Sequence, residues 1–139
     1  MQPLTAEEQS LWDAWRAASD ALSQVSTEVT AATGLSEPDF EVLTRLQESA
    51  GGVLRQSELC AITGWHRSRL SHHLRRMAER GLVSRAEVPG GAEVRLTTMG
   101  RAATARARPV HADAVRRHLV QALPARDRRR LEELLRRLV

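Results

Sequence analysis

Trp65-His66-Arg67-Ser68-Arg69-Leu70-Ser71-His72-His73-Leu74-Arg75-Arg76-Met77-Ala78-Glu79, closed by Arg80-Gly81, is the stretch that decides the fold of this chain. Leu70, Leu74 and Met77 recur at helical spacing, as on a helix with one face in a core. Arg69, His72, Arg75 and Arg76 fall on or beside the opposite face. Arginine presents a planar fork of donors that matches guanine edges and phosphates, and Ser and His set shorter donors between the forks. A helix laid in a DNA major groove has this pattern, and so does a solvated basic face on an ordinary amphipathic helix. The flanking residues choose between the two.

Upstream, Arg55-Gln56-Ser57-Glu58-Leu59-Cys60-Ala61-Ile62-Thr63 reads as a short helix that packs Leu59 and Ile62 inward, with Gly64 supplying the turn. Downstream, residues 82–88 and 92–97 read as strands about a Pro89-Gly90-Gly91 turn, and Val53-Leu54 as a small edge strand. Helix, tight turn, basic helix and hairpin, in that order, make a winged helix-turn-helix, whose wing flanks the groove its helix enters.

With these blocks in place the chain resembles the multiple antibiotic resistance regulator (MarR) family. The matching residues are Gln56-Ser57-Glu58-Leu59, Arg67-Ser68-Arg69-Leu70-Ser71-His72, Arg80-Gly81-Leu82-Val83-Ser84-Arg85 and Val94-Arg95-Leu96-Thr97-Thr98-Met99-Gly100-Arg101. The resemblance extends over nearly the whole chain and implies a dimeric bacterial transcription regulator, a ligand-responsive repressor on a pseudo-palindromic operator. The expected fold is mostly α with a small β-hairpin. It is one domain over residues 1–139, with a DNA-binding lobe at about 36–97 and dimerisation helices at about 1–34 and 98–139. The expected DNA-contacting residues are Gln56, Ser57, Trp65, His66, Arg67, Ser68, Arg69, Ser71, His72, Arg76, Arg85 and Arg95.

Charge placement agrees. All 21 basic residues are Arg, and the net charge is +4. Residues 1–50 hold Arg16 and Arg45 against nine acidic residues, a balance of −7, whereas residues 51–139 hold nineteen Arg against eight acidic residues, a balance of +11. A basic half beside the recognition helix suits a polyanion, because each phosphate neutralised releases condensed counterions. No apolar run approaches a membrane span and no basic-then-apolar leader opens the chain, so a cytoplasmic protein without membrane contact is expected.

The first helix is expected from about Thr5 to Thr33, with Thr5 and Glu8 forming a capping box and Gly34 ending it. Leu11, Trp12, Trp15, Ala18, Leu22, Val25 and Val29 make an apolar stripe that must be buried somewhere. A second helix after Ser36-Glu37-Pro38 buries Phe40, Leu43 and Leu46. From Thr98 the chain is helical again, kinked or split at Pro109, and Pro124 opens a last helix striped by Leu131, Leu134, Leu135 and Leu138. So small a chain hardly buries these leucines alone, and pairing with a second copy is the economical answer. The Arg126–Arg130 run reads as a solvated face.

The resemblance falters at the wing. Family wings commonly carry an Asp-x-Arg at the tip, whose Arg enters the minor groove, but Val88-Pro89-Gly90-Gly91-Ala92 holds no Arg. Arg85 and Arg95 at the hairpin base remain as groove contacts, and Arg85 equally suits an ion pair with Glu87 or Glu93. Small aromatic or phenolic ligands are what the resemblance implies as effectors, with Trp12, Trp15 and Arg16 as candidate lining and core packing as the alternative for both Trp residues. Cys60, the single cysteine, reads as a small buried side chain, with a redox-sensing thiol as the other reading. The five His residues show no zinc spacing, so no metal or other cofactor is expected. No phosphate-cradling Gly loop or nucleophile elbow marks an enzyme. A helical interaction module without DNA binding would explain the terminal helices but not the wing.

Overall fold

In the computed structural model, which describes residues 1–139, the first helix, α1 (Ala6–Thr33), starts on the expected capping box. Thr5 Oγ1 accepts from the Glu8 N–H at 3.2 Å, and the Glu8 carboxylate accepts from the Thr5 N–H at 2.7 Å. The second helix, α2 (Glu37–Glu48), repeats the device with Ser36 and Asp39, and Pro38 occupies its first turn, where no N–H is missed. There follow β1 (Val53–Arg55), α3 (Gln56–Thr63), α4 (Arg67–Glu79), β2 (Val83–Val88), β3 (Gly91–Leu96), α5 (Thr98–Val115), a π-helical segment (Arg116–Val120) and α6 (Ala125–Arg136). No helix is long and apolar enough to cross a membrane.

The strands form one antiparallel sheet in the order β1-β3-β2, with Leu54 opposite Val94 and Arg85 also opposite Val94 on its other side. Val88 pairs with Gly91, so the wing turns on Pro89-Gly90 alone and Gly91 belongs to the strand instead of the turn. Gly90 has φ +83°, the left-handed value that follows Pro in a type II turn.

Leu43, Leu46, Leu59, Leu70, Leu74, Met77 and Val94 are fully buried and bind α2, α3, α4 and the sheet into one core. Each such side chain contributes roughly 1.5–3 kcal/mol. Behind this core, Gly100 lets α5 approach the sheet, because a Cβ there would collide with the Leu82 carbonyl and Leu96 Cδ1. Thr97 caps α5 and also donates its hydroxyl to the Gly81 carbonyl at 2.6 Å, fixing the angle between wing and helix.

Several expectations are corrected. Ile62 is 45% exposed, because the short α3 turns only Leu59 fully into the core. Of the two outcomes expected at Pro109, a kink or a split, the split does not occur, since α5 runs on to Val115. Phe40 is half-buried and rests against the His111 ring, with centroids 4.7 Å apart. In line with stripes that so small a chain hardly covers alone, α1 buries only Val25 and Val29, while Leu11, Trp12, Trp15 and Leu22 face solvent, as do Leu134, Leu135 and Leu138.

Candidate nucleic-acid interface

The recognition helix α4 is set by the burial of its apolar side. With Leu70, His73, Leu74 and Met77 inward, a step of about 100° per residue puts Ser68, His72 and Arg75 at the centre of the outward face, and all three are exposed. Arg75 Nη2 lies 2.9 Å from His72 Nδ1, and since a guanidinium only donates, the imidazole proton points outward on Nε2. His66 caps the helix: its Nδ1 accepts from the Ser68 N–H at 3.3 Å and lies 2.8 Å from Ser68 Oγ.

The two flanks of α4 differ. On one, the Arg69 guanidinium lies 4.5 Å from the centroid of the Trp65 ring, a cation–π contact that holds the cation beside the helix. Trp65 is half-buried and meets His73 edge-on, so it is a platform for Arg69 more than a contacting group itself. On the other flank, Arg85 of β2 donates to Gln56 Oε1 at 2.8 Å and to Ser71 Oγ at 3.4 Å. This brings three expected site residues together, and of the two readings left open for Arg85 the ion pair with Glu87 or Glu93 is not formed. Glu93 instead contacts Arg95 at 3.4 Å, an exposed pair worth little.

Between α3, α4 and the wing lies an open groove of about 800 Å³, lined among others by Arg55, Ser57, Arg67, Ser71 and Arg85. Two cations of this surface, Arg55 and Arg75, stand outside the set expected to touch DNA. Arg75 was legible from helical spacing, whereas Arg55 reaches the groove only because β1 delivers it beneath the wing turn, where its Nη1 donates to the Pro89 carbonyl at 3.3 Å.

Behind the helix, Asp39 anchors α4 to α2. Its carboxylate accepts from Arg80 Nη1 at 2.7 Å, and Arg80 Nη2 also reaches the Gly34 carbonyl at 3.1 Å. Burial works to raise the Asp39 pKa, but the Arg80 and Ser36 hydrogen bonds outweigh it and hold the carboxyl below its ordinary range. His73 Nδ1 accepts from Arg76 Nη2 at 3.1 Å, which places the ring proton on Nε2. Nε2 lies 3.0 Å from Asp39 Oδ1, yet the direction is poor for a hydrogen bond and leaves Nε2 without a partner. Burial pushes the His73 pKa below its ordinary value; Asp39 opposes this, and Arg76 and Arg69 reinforce it.

Trp12, Trp15 and Arg16 stand exposed on α1, so within one chain they form neither core nor an enclosed cavity. Cys60 is half-buried instead of buried and lines the groove.

Residues 33–92 match the model of the MarR family. Sco3205, a MarR family transcriptional regulator from Streptomyces coelicolor solved in complex with DNA, is 30% identical over 99% of this chain and 89% of that chain, with a TM-score of 0.91. AbsC, a MarR family transcriptional regulator from the same organism, is also 30% identical, over 99% of this chain and 95% of that chain, with a TM-score of 0.91. The chain belongs to the MarR family. A mutant MarR from E. coli, complexed with operator DNA, shares the fold at 20% identity over 94% of this chain and 96% of that chain, with a TM-score of 0.78. Among curated proteins no sequence matches. As a MarR family protein the chain is a transcriptional regulator and not an enzyme. Within this MarR family chain the wing turn itself, Pro89-Gly90, carries no cation.

Proposed function

We propose that this regulator binds double-stranded DNA in the cytoplasm as a homodimer, each subunit laying α4 in the major groove of one half of a pseudo-palindromic operator. The observation that carries the reading is the two-sided character of α4. Its apolar side is spent in the core, and its outer side offers Ser68, His72 and Arg75 beside a groove lined by three further arginines. Arg67, Arg69, Arg76, Arg85 and Arg95 then bear on the phosphates and groove walls. The solved DNA complex of Sco3205 supports the same reading.

Residues 36–97 form the DNA-binding lobe, and residues 1–34 and 98–139 pair the subunits. What supports this division is the exposed apolar surface of α1 and α6, which one chain leaves uncovered. Pairing would also enclose Trp12, Trp15 and Arg16, giving a small aromatic acid or phenol an aromatic face and a cation. A ligand that binds the free dimer more tightly than the DNA-bound form lowers operator affinity by the ratio of the two affinities, as expected of a repressor released by its effector.

Selection of duplexes from random DNA, followed by binding over a salt series, tests the reading. A selected motif with two related halves supports it, and no enrichment with no salt-dependent binding sinks it. A second reading, redox control through Cys60, is favoured by one observation: the thiol lines the groove that holds Arg55, Arg67 and Arg85. Peroxide that releases DNA from the wild type but not from Cys60→Ser would establish it.

A further inference from the structure

The wing presents a puzzle that the recognition helix does not. Its strands are well paired over six residues each, yet its turn is Pro89-Gly90, with no donor longer than a backbone amide. Gly90 cannot readily be exchanged for a cation, because its φ of +83° strains any L side chain. The positive charge of this region comes instead from another element. Arg55 ends β1, beside β3 and on the opposite side from β2. Its guanidinium crosses to the turn, donates to the Pro89 carbonyl at 3.3 Å and lies 3.9 Å from the position a Gly90 Cβ would take.

Two constraints hold Arg55 in place. Its backbone is paired in register opposite Glu93, and its N–H donates to Glu58 Oε1 at 3.0 Å as α3 begins. The side chain is exposed, and one contact to a carbonyl leaves most of its five N–H donors free. Arg67 and Arg85 line the same open groove from α4 and β2, and Glu87 is the one acidic residue that lines it with them. Three guanidiniums against one carboxylate, at a mouth open to solvent, suit a phosphate diester far better than a base edge. A phosphate accepts from any direction, whereas base reading in the minor groove needs a side chain that projects beyond the wing.

We propose that the wing of this regulator grips one DNA backbone phosphate through Arg55, seated beneath the Pro89-Gly90 turn, and reads no minor-groove bases. The inference rests on the DNA-binding reading above and goes beyond it by assigning the wing's cation to β1. Arg55 then sets how closely the wing approaches the duplex, and the specificity of the protein lies in α4 alone.

The test uses the full-length protein with a duplex it selects from random DNA and an unrelated duplex of equal length, over about 50 to 200 mM salt. Arg55→Gln is expected to weaken both duplexes alike, by about fivefold, and to lower the salt slope by about one. Arg55→Lys, which keeps the charge, recovers most of the slope. A duplex with one methylphosphonate at the position beneath the wing should bind wild type and Arg55→Gln equally well, which a purely structural role for Arg55 would not produce. Exchange of A·T for G·C beneath the wing leaves wild-type affinity unchanged. If Arg55→Gln retains wild-type affinity and slope, or if the A·T exchange changes wild-type affinity, the inference is wrong. If the wild type binds neither duplex, the DNA-binding reading itself has failed.

Discussion

The winged lobe and the terminal helices use similar residues to opposite ends. In the lobe, Leu70, Leu74 and Met77 on α4 are fully buried against Leu43, Leu46 and Leu59 within the same chain. On α6, Leu134 and Leu135 keep 41% of their surface, Leu138 just beyond its end keeps 68%, and on α1 Trp12 and Trp15 keep about half. The difference is one of completeness. A lobe that closes its own core can present a rigid face, whereas helices that leave leucine and tryptophan in water are finished only by another surface. In the proposed dimer that surface is a second copy, and the spacing of the two α4 helices is then set by the unfinished half of the molecule.

The contrast breaks most sharply with one kind of substitution on its two sides. Leu74→Ala should cost about 2–5 kcal/mol of folding stability, through lost burial and the cavity left behind, with a loss in urea that does not depend on protein concentration. Leu135→Ala should instead make the apparent stability fall on dilution, because the dimer and the fold are linked. Equal behaviour of the two variants would erase the distinction. Next in size, Leu134→Asp combined with Leu135→Asp should weaken self-association about a hundredfold, near 2.7 kcal/mol, and sedimentation should show monomer where the wild type is a dimer.

Smaller effects sharpen the description of the lobe. Asp39→Asn should cost about 1–3 kcal/mol, because it leaves Arg80 without its carboxylate; denaturation in urea checks this. The smallest expected effect is on pH dependence. His73 is buried with its pKa below the ordinary 6.5, so the unfolded chain takes up a proton there first as the pH falls. Its contribution is full above about pH 6.5 and is lost as the pH falls through the lower folded value. His73→Phe should flatten this part of the profile. On the terminal side, Glu28 accepts from Arg117 and His118, which holds its pKa down at about 2 from an ordinary 4.5. The tie between α1 and the π-helical segment therefore persists above pH 4.5 and is lost on descent toward about 2.

Features carried by local chemistry were legible in the sequence. Thr5 with Glu8, Ser36 before Pro38, the apolar period of α4 and the strand–turn–strand of the wing each declare themselves within a few residues. Contacts that depend on distant segments were not. Asp39 and Arg80 are 41 residues apart, and nothing near either one announces the pair. Arg85 could be placed at the wing base, but its partners Gln56 and Ser71 come from two helices, and the sequence offered the nearer Glu87 and Glu93 instead. Arg55 was invisible as a wing residue for the same reason. Ile62 misled because two apolar residues three apart in an eight-residue helix suggest a shared buried face, whereas only Leu59 reaches the core.

Guanine-methylation interference on a selected duplex reports the groove that α4 enters and the number of subunits together. With α4 in the major groove of each half-site, interference should appear at N7 of guanines in two patches, about one helical turn or a multiple of it apart. Ser68→Ala, His72→Ala or Arg75→Ala should weaken interference within both patches. A single patch would contradict the paired arrangement, and binding indifferent to N7 methylation would contradict the placement of α4.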